Sequence, residues 1–259
     1  MNAHPGFAPR STSSRDVLSV CVQNLGEAEA IDLLLGYLAE RRFARVGFLN
    51  AHIANLAASD PALKAAFADF LVLADGVGVD IAAKWLHGSS FAANLNGTDF
   101  IPALLRASRV PLRVGLIGAR GDMADTAARA LQAIAPQHDY EVFGDGFFSD
   151  QEEPALLERI EAARPDVLLV AMGVPRQELW IARRLDARHC TLPVAVGALF
   201  DFLAGAVPRA PLWMRRSRLE WLFRLGLEPG RLGRRYVVGN PLFLARVLRQ
   251  KWSRKKVGA

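Results

Sequence analysis

Short apolar runs of five to eight residues alternate, over the first 200 positions, with longer stretches whose apolar residues recur every three or four places. The runs are 17–22 (VLSVCV), 45–50 (RVGFLN), 70–74 (FLVLA), 112–119 (LRVGLIGA), 140–144 (YEVFG), 166–172 (DVLLVAM) and 192–198 (LPVAVGA), and their length and β-branched content predict strands. Between them EAEAIDLLLGYLAERR, VGVDIAAKWLHG, DMADTAARALQAIA and EPALLERIEAAR carry the spacing of amphipathic helices. Strands separated by helices imply βαβ units, hence an α/β fold with a Rossmann-like, mostly parallel sheet flanked by helices. No internal repeat or low-complexity linker interrupts residues 16–204, and the one boundary is placed near Gly205. Residues 1–15 (MNAHPGFAPRSTSSR) lack the apolar stretch of a signal peptide and read as a frayed, disordered terminus, which implies a cytoplasmic chain.

Several strands end in residues that a core does not need, at the edge of the sheet where ligands of open α/β folds gather. Asn50 closes RVGFLN and Asp75 closes FLVLA before GVGVD. Asp75 reads either as a helix N-cap or as a functional carboxylate. The turn GARGD (118–122) is either a phosphate cradle of backbone N–H groups or a plain tight turn. GVPRQELWIARRL (173–185) starts a helix with Pro, Arg, Gln and Glu on the lip of a strand, while Trp180 and Ile181 have the spacing of its buried face. Asp201 in LFDFLAG either orders a ligand loop or caps a helix. His52, His87, His138 and His189 show no ligand spacing and read as structural or surface residues. Cys21 and Cys190, without a CxxC pattern, read as reduced structural cysteines.

Charge separates the end of the chain from its body. Residues 205–259 hold fourteen Lys and Arg against Glu220 and Glu228, a net of +12; with +6 for the whole chain, the first 204 residues carry −6. The basic positions are interleaved with Leu, Trp, Phe and Val in PLWMRRSRLEWLFRLGLE and PLFLARVLRQKWSRKK, the mark of basic amphipathic helices on an anionic membrane surface. The competing reading is an ordinary solvated face packed on the body, and Trp213, Trp221 and Trp252 are interface anchors in one case and packing in the other. No apolar run reaches the roughly 18 residues of a membrane span. Of the two readings, the expectation is a basic amphipathic helical C-terminal appendage over 205–259 that associates with a membrane.

The order Asn50, ADG (74–76), NGTDF (96–100), GVPRQELWI, VGALFDFLAG and then RAPLWMRRSRLEWLFRLGLEPGRLGRRYVVGNPLFL resembles the WecG/TagA/CpsF family of bacterial glycosyltransferases, over nearly everything after Val17. The resemblance implies transfer of a sugar from a UDP-sugar to a lipid-pyrophosphate-linked sugar, at the cytoplasmic face of the membrane, with inversion and without a metal or other cofactor. The sugars so implied are N-acetylmannosamine, N-acetylmannosaminuronic acid and glucose, in exopolysaccharide or cell-envelope polysaccharide synthesis. It implies Asp75 as the catalytic base and Asn50 and Gln177 at the donor, with Asn96, Gly118 and Asp201 as further substrate-binding candidates. It also brings Arg224, Arg231 and Arg234 to the diphosphate. Two positions depart from the pattern: Phe48 stands where many relatives have Thr, and Asn94 where they have Arg.

The residues agree with that chemistry in two respects. Inverting transfer needs a base for the acceptor hydroxyl and a cation for the departing diphosphate. The chain has no D-x-D pair to hold a metal, and guanidinium groups grip phosphate oxygens in a bidentate fork. The partners implied are the UDP-sugar, the lipid-linked acceptor, an anionic membrane and, as a candidate, a second copy of the chain, with no nucleic acid. Two alternatives come from other classes. A dinucleotide-dependent oxidoreductase wants G-x-G-x-x-G after the first strand, where this chain has QNLGEAEA. A non-enzymatic basic adaptor on membrane or RNA leaves Asp75 and Gln177 without purpose.

Overall fold

The computed structural model describes residues 14–211, 213–214 and 220–257; the side chains of Glu220, Arg224, Arg231, Lys255, Lys256 and Val257 lie outside that description. The terminus expected to be frayed falls outside it too, apart from Ser14 and Arg15, which open the first strand.

Eight strands form one sheet: β1 (Ser14–Val17), β2 (Val20–Gln23), β3 (Arg45–Leu49), β4 (Phe70–Ala74), β5 (Arg113–Gly118), β6 (Asp139–Gly144), β7 (Val167–Ala171) and β8 (Leu192–Ala195). Their order is β1-β2-β4-β3-β8-β7-β5-β6, and every pairing is parallel except β1 with β2. The single strand expected over 17–22 is thus a hairpin, turning at Leu18 and Ser19 with φ of 51° and 68°. That geometry matches a two-residue primed turn, which an unbroken apolar run without Gly or Asn does not advertise. Strands β4, β7 and β8 are buried at every position, as a parallel sheet covered on both faces requires.

Helices cover the two faces. On one side lie α1 (Glu27–Ala39), α5 (Gly97–Ala107), α6 (Met123–Ile134) and α9 (Leu199–Leu203), which supply Leu34, Phe100, Leu131 and Phe200 to one core. On the other lie α2 (Ala51–Ala57), α3 (Pro61–Phe67), α4 (Val77–His87), α7 (Glu153–Ala163) and α8 (Arg176–Arg184), contributing Ile53, Phe67, Val79, Ile160 and Ile181. The chain ends in α10 (Glu220–Leu227), α11 (Pro229–Gly233), a π-helical turn (Arg234–Val238) and α12 (Gly239–Val257).

Helix α12, in the C-terminal appendage, packs into the second core. Phe243 and Val247 are fully buried there, contributing roughly 1.5–3 kcal/mol each by removal from water. Asn55 of α2 donates to the Gly239 carbonyl at 2.7 Å, and Arg246 donates to Asn55 O at 2.7 Å and to Ser59 Oγ at 2.7 Å. At the far end Arg254 pairs with Asp16 of β1 at 2.6 Å, and the Leu18 N–H donates to Gln250 Oε1 at 3.0 Å. The last helix therefore ties the N-terminal hairpin to α2.

Candidate active site

The site grows out of the register of β3 and β4. Leu49 pairs with Ala74, so the next residues, Asn50 and Asp75, leave the sheet side by side. The Asp75 N–H donates to Leu49 O at 2.9 Å, extending the ladder by one bond. Asn50 caps α2, its Oδ1 accepting from the N–H groups of His52 and Ile53 at 3.1 Å each, and its Nδ2 donates to Asp75 Oδ2 at 3.1 Å. The N-cap reading of Asp75 is corrected here. Gly76 occupies the cap position of α4, at φ +88°, and provides no side-chain cap. The Gly76 N–H donates to Asn94 Oδ1 at 2.6 Å, so Asn94 fixes the turn that follows Asp75.

Neighbouring elements close around this pair. Asn96 caps α5, accepting from the Asp99 N–H at 3.0 Å, and Asp99 takes an ion pair from Arg209 at 2.8 Å. Gln177, 1% exposed, accepts from the Gly197 N–H at 3.3 Å and donates to Glu178 Oε1 at 2.8 Å. Glu178 is itself 1% exposed; burial pushes its carboxyl up to about 7, against the opposing effect of the Gln177 amide. Trp180 and Ile181 turn into the core as their spacing predicts. Asp201 lies inside α9, whose cap residue is Ala198, so its capping alternative does not hold.

These groups line one cavity of about 710 Å³ at the carboxyl edge of the sheet. Asn50, Asp75, Asn96, Gln177 and Asp201 all face it. Gly118 does not: at φ +128° a Cβ there would stand 2.4 Å from the Ala171 carbonyl oxygen, so glycine permits the close approach of β5 to β7, while Ala119 lines the cavity. Arg234 is exposed and outside the lining, whereas Arg235 lines it. Arg224 lies on α10 and Arg231 on α11, but their side chains fall outside the described part.

Arg235 and Tyr236 went unread in the sequence, and Trp221 is read there only as an interface anchor or packing residue; all three line the cavity from the C-terminal segment, with the Trp221 and Tyr236 rings 5.6 Å apart. The family resemblance points to Arg234, and the side chain that lines the cavity is that of its neighbour Arg235, in the π-helical turn that begins at Arg234. His52, read as structural or surface, also lines the cavity. Burial, then the charge of Arg235, pushes its imidazole down to about 4, so it is neutral at physiological pH.

A carboxylate held by an amide, helix N-termini at a cavity beside strand carboxyl ends, and an arginine in the same lining make a site chemically suited to group transfer on an anionic substrate. The comparisons give that class a family. The chain belongs to the glycosyl transferase WecG/TagA/CpsF family, whose model matches residues 15–257, and it is a glycosyltransferase. It is 31% identical over 218 residues to an N-acetylglucosaminyldiphosphoundecaprenol N-acetyl-beta-D-mannosaminyltransferase of Bacillus spizizenii, covering 83% of this chain and 82% of the relative. It is 27% identical over 250 residues to the Staphylococcus aureus protein of the same description, covering 95% and 96%.

Proposed function

We propose that this chain transfers a sugar from a UDP-sugar to a polyprenyl-diphosphate-linked N-acetylglucosamine, with inversion and without a metal, in bacterial cell-envelope or exopolysaccharide synthesis. The relatives' descriptions support the lipid-linked acceptor and make N-acetylmannosamine the first donor sugar to try, ahead of N-acetylmannosaminuronic acid and glucose. The observation that carries the reading is the Asn50–Asp75 pair, set at the ends of adjacent strands inside the cavity.

In this reading the Asp75 carboxylate takes the proton of the acceptor hydroxyl as that oxygen bonds to the anomeric carbon. The bond from that carbon to the donor phosphate breaks on the opposite face, and its electron pair leaves on the UDP oxygen. Asn50 orients the base, and Gln177, Asn96 and Asp201 hold the donor. Arg235 joins Arg224, Arg231 and Arg234 as a candidate to offset the diphosphate charge, together with the N-terminal dipoles of α4 and α5. Gly118 serves by shaping the turn that presents Ala119.

The enzyme works as a peripheral protein on the inner face of the cell membrane. Among the described residues, seven of the nine exposed large hydrophobic ones belong to the C-terminal segment: Trp213, Leu222, Leu227, Val237, Val238, Leu242 and Trp252. No helix among the described residues is long and apolar enough to cross a membrane. The segment's basic residues supply the attraction to anionic lipid. The test is UDP release from a panel of UDP-sugars, with and without a lipid-diphosphate-GlcNAc acceptor, in EDTA. Release from one donor that depends on acceptor and survives the chelator is expected; acceptor-independent release, or loss restored by Mg²⁺, contradicts the reading.

A further inference from the structure

The cavity lining is mixed all round, but its carboxylates are unevenly shared. Asp75, Asp99 and Asp201 lie at a strand end and on α5 and α9, with Phe48, Phe200 and Phe202 among them. Helices α2 and α4 and the C-terminal segment contribute no carboxylate to the lining among the described residues; they supply an apolar wall of Ile53, Ile81, Trp221, Tyr236, Phe243 and Leu244 beside the polar His52, Arg235 and Asn240. Contacts fix this wall in place. A Cβ at Gly78, in the first turn of α4, would lie 3.7 Å from the Phe243 ring, so α12 packs against the turn that follows Asp75. Aromatic rings such as Trp221 and Tyr236 stack on a uracil base or a sugar face as well as on a hydrocarbon, whereas the aliphatic Ile53, Ile81 and Leu244 offer apolar contact alone. The elements forming the wall also expose apolar residues at its sequence neighbours: Leu222 beside Trp221, Val237 and Val238 after Tyr236, and Leu242 before Phe243. The segment that supplies the wall thus also carries apolar residues on the outside of the molecule.

We infer that this wall is a subsite for the first isoprenoid units of the lipid acceptor, which places the acceptor on the side of α2, α4 and the C-terminal segment and the donor on the side of α5, α8 and α9. The inference rests on the glycosyl-transfer reading above. The acceptor's own chemistry matches this lining: a sugar hydroxyl at Asp75 and a hydrocarbon chain along Trp221, Tyr236 and Leu244 that leaves toward the bilayer. Asp75 then stands at the junction of the two sides, where a base between donor and acceptor is needed.

The test removes the membrane, so that bilayer attachment and the subsite are read separately. Transfer is measured, free of vesicles and detergent, to two soluble acceptors: GlcNAc-diphosphate carrying a farnesyl chain, and the same headgroup carrying a methyl group. The wild-type protein is expected to show a KM at least about tenfold lower for the farnesyl acceptor, the scale expected for burying a few apolar carbons. In Trp221→Ala and, separately, Leu244→Asn that ratio should fall to about threefold or less. Because the ratio compares two acceptors on one variant, any loss of folded protein cancels. Equal KM values in the wild type, or an undiminished ratio in both variants, overturns the subsite while leaving glycosyl transfer standing. Transfer to neither acceptor overturns the functional reading and the subsite with it.

Discussion

The Asn50 amide reaches the Asp75 carboxylate at 3.1 Å across the ends of two adjacent parallel strands, while the oxygen of the same side chain holds the first turn of α2. One residue thus caps a helix and holds the Asp75 carboxylate, and two substitutions separate the two roles. Asn50→Ala loses both, and should cost about 1 kcal/mol of stability for the missing cap. Asn50→Asp keeps the cap but sets a second carboxylate beside Asp75, disfavouring ionisation of the pair. Its acidic limb in a pH profile of kcat/KM should move to higher pH, with denaturant stability near the wild-type value. An unmoved limb would detach Asn50 from the base.

Glu178 makes stability depend on pH in a stated direction. Burial raises its carboxyl from an ordinary 4.5 to about 7, so the folded state binds the proton more tightly than the unfolded chain. The resulting stabilisation is complete below about 4.5 and is lost as pH rises through about 7. Glu178→Gln removes the titration and keeps an amide oxygen to accept from Gln177. Melting temperatures from pH 5 to pH 8 should therefore decline less in the variant than in the wild type. Parallel curves would mean that the carboxyl is already ionised in the fold at low pH.

Gly118 and Gly121 share one turn and differ in what surrounds them. A Cβ at Gly118 meets the Ala171 carbonyl oxygen at 2.4 Å, whereas at Gly121, φ +61°, it meets open space. Gly118→Ala should destabilise by more than about 4 kcal/mol in chemical denaturation, the range of forced backbone displacement. Gly121→Ala should cost only the roughly 1–2 kcal/mol of a left-handed residue. Similar costs at both positions would contradict the close approach of β5 and β7.

The periodicity of the chain discloses most of the strands and helices because β4, β7 and β8 are buried on both faces and carry unbroken apolar runs. It conceals the β1–β2 hairpin, whose turn at Leu18 and Ser19 uses residues that do not mark turns. It also conceals the integration of α12, since Phe243 and Val247 sit in a segment whose charge dominates the reading. Asn50 and Asp75 are visible as polar residues at strand ends, but their adjacency needs the β3–β4 register, which no local pattern encodes. Arg235 is missed because the resemblance points to Arg234 beside it, and two adjacent arginines give no local signal of which one faces the cavity.

Integration of α12 changes how membrane attachment is tested. A truncation at Leu203 would strip Phe243 and Val247 from the core and confound binding with folding. Serine in place of the exposed Trp213, Val237 and Val238 leaves that core intact. Sedimentation with anionic vesicles should show partitioning at least about tenfold weaker in this triple variant, and weaker again for both proteins in high salt. Salt-independent binding, or undiminished binding by the variant, would remove the C-terminal segment from the membrane contact.

The most direct measurement concerns Asp75 itself. Asp75→Asn keeps the side chain's size while removing its capacity to accept a proton, so donor binding and acceptor-dependent turnover can be compared in one protein. The account predicts a donor Kd near the wild-type value and turnover lower by about 100- to 10,000-fold, the usual loss of a general base. Near-normal turnover by Asp75→Asn, with acceptor still required, would contradict it and move the base elsewhere in the cavity.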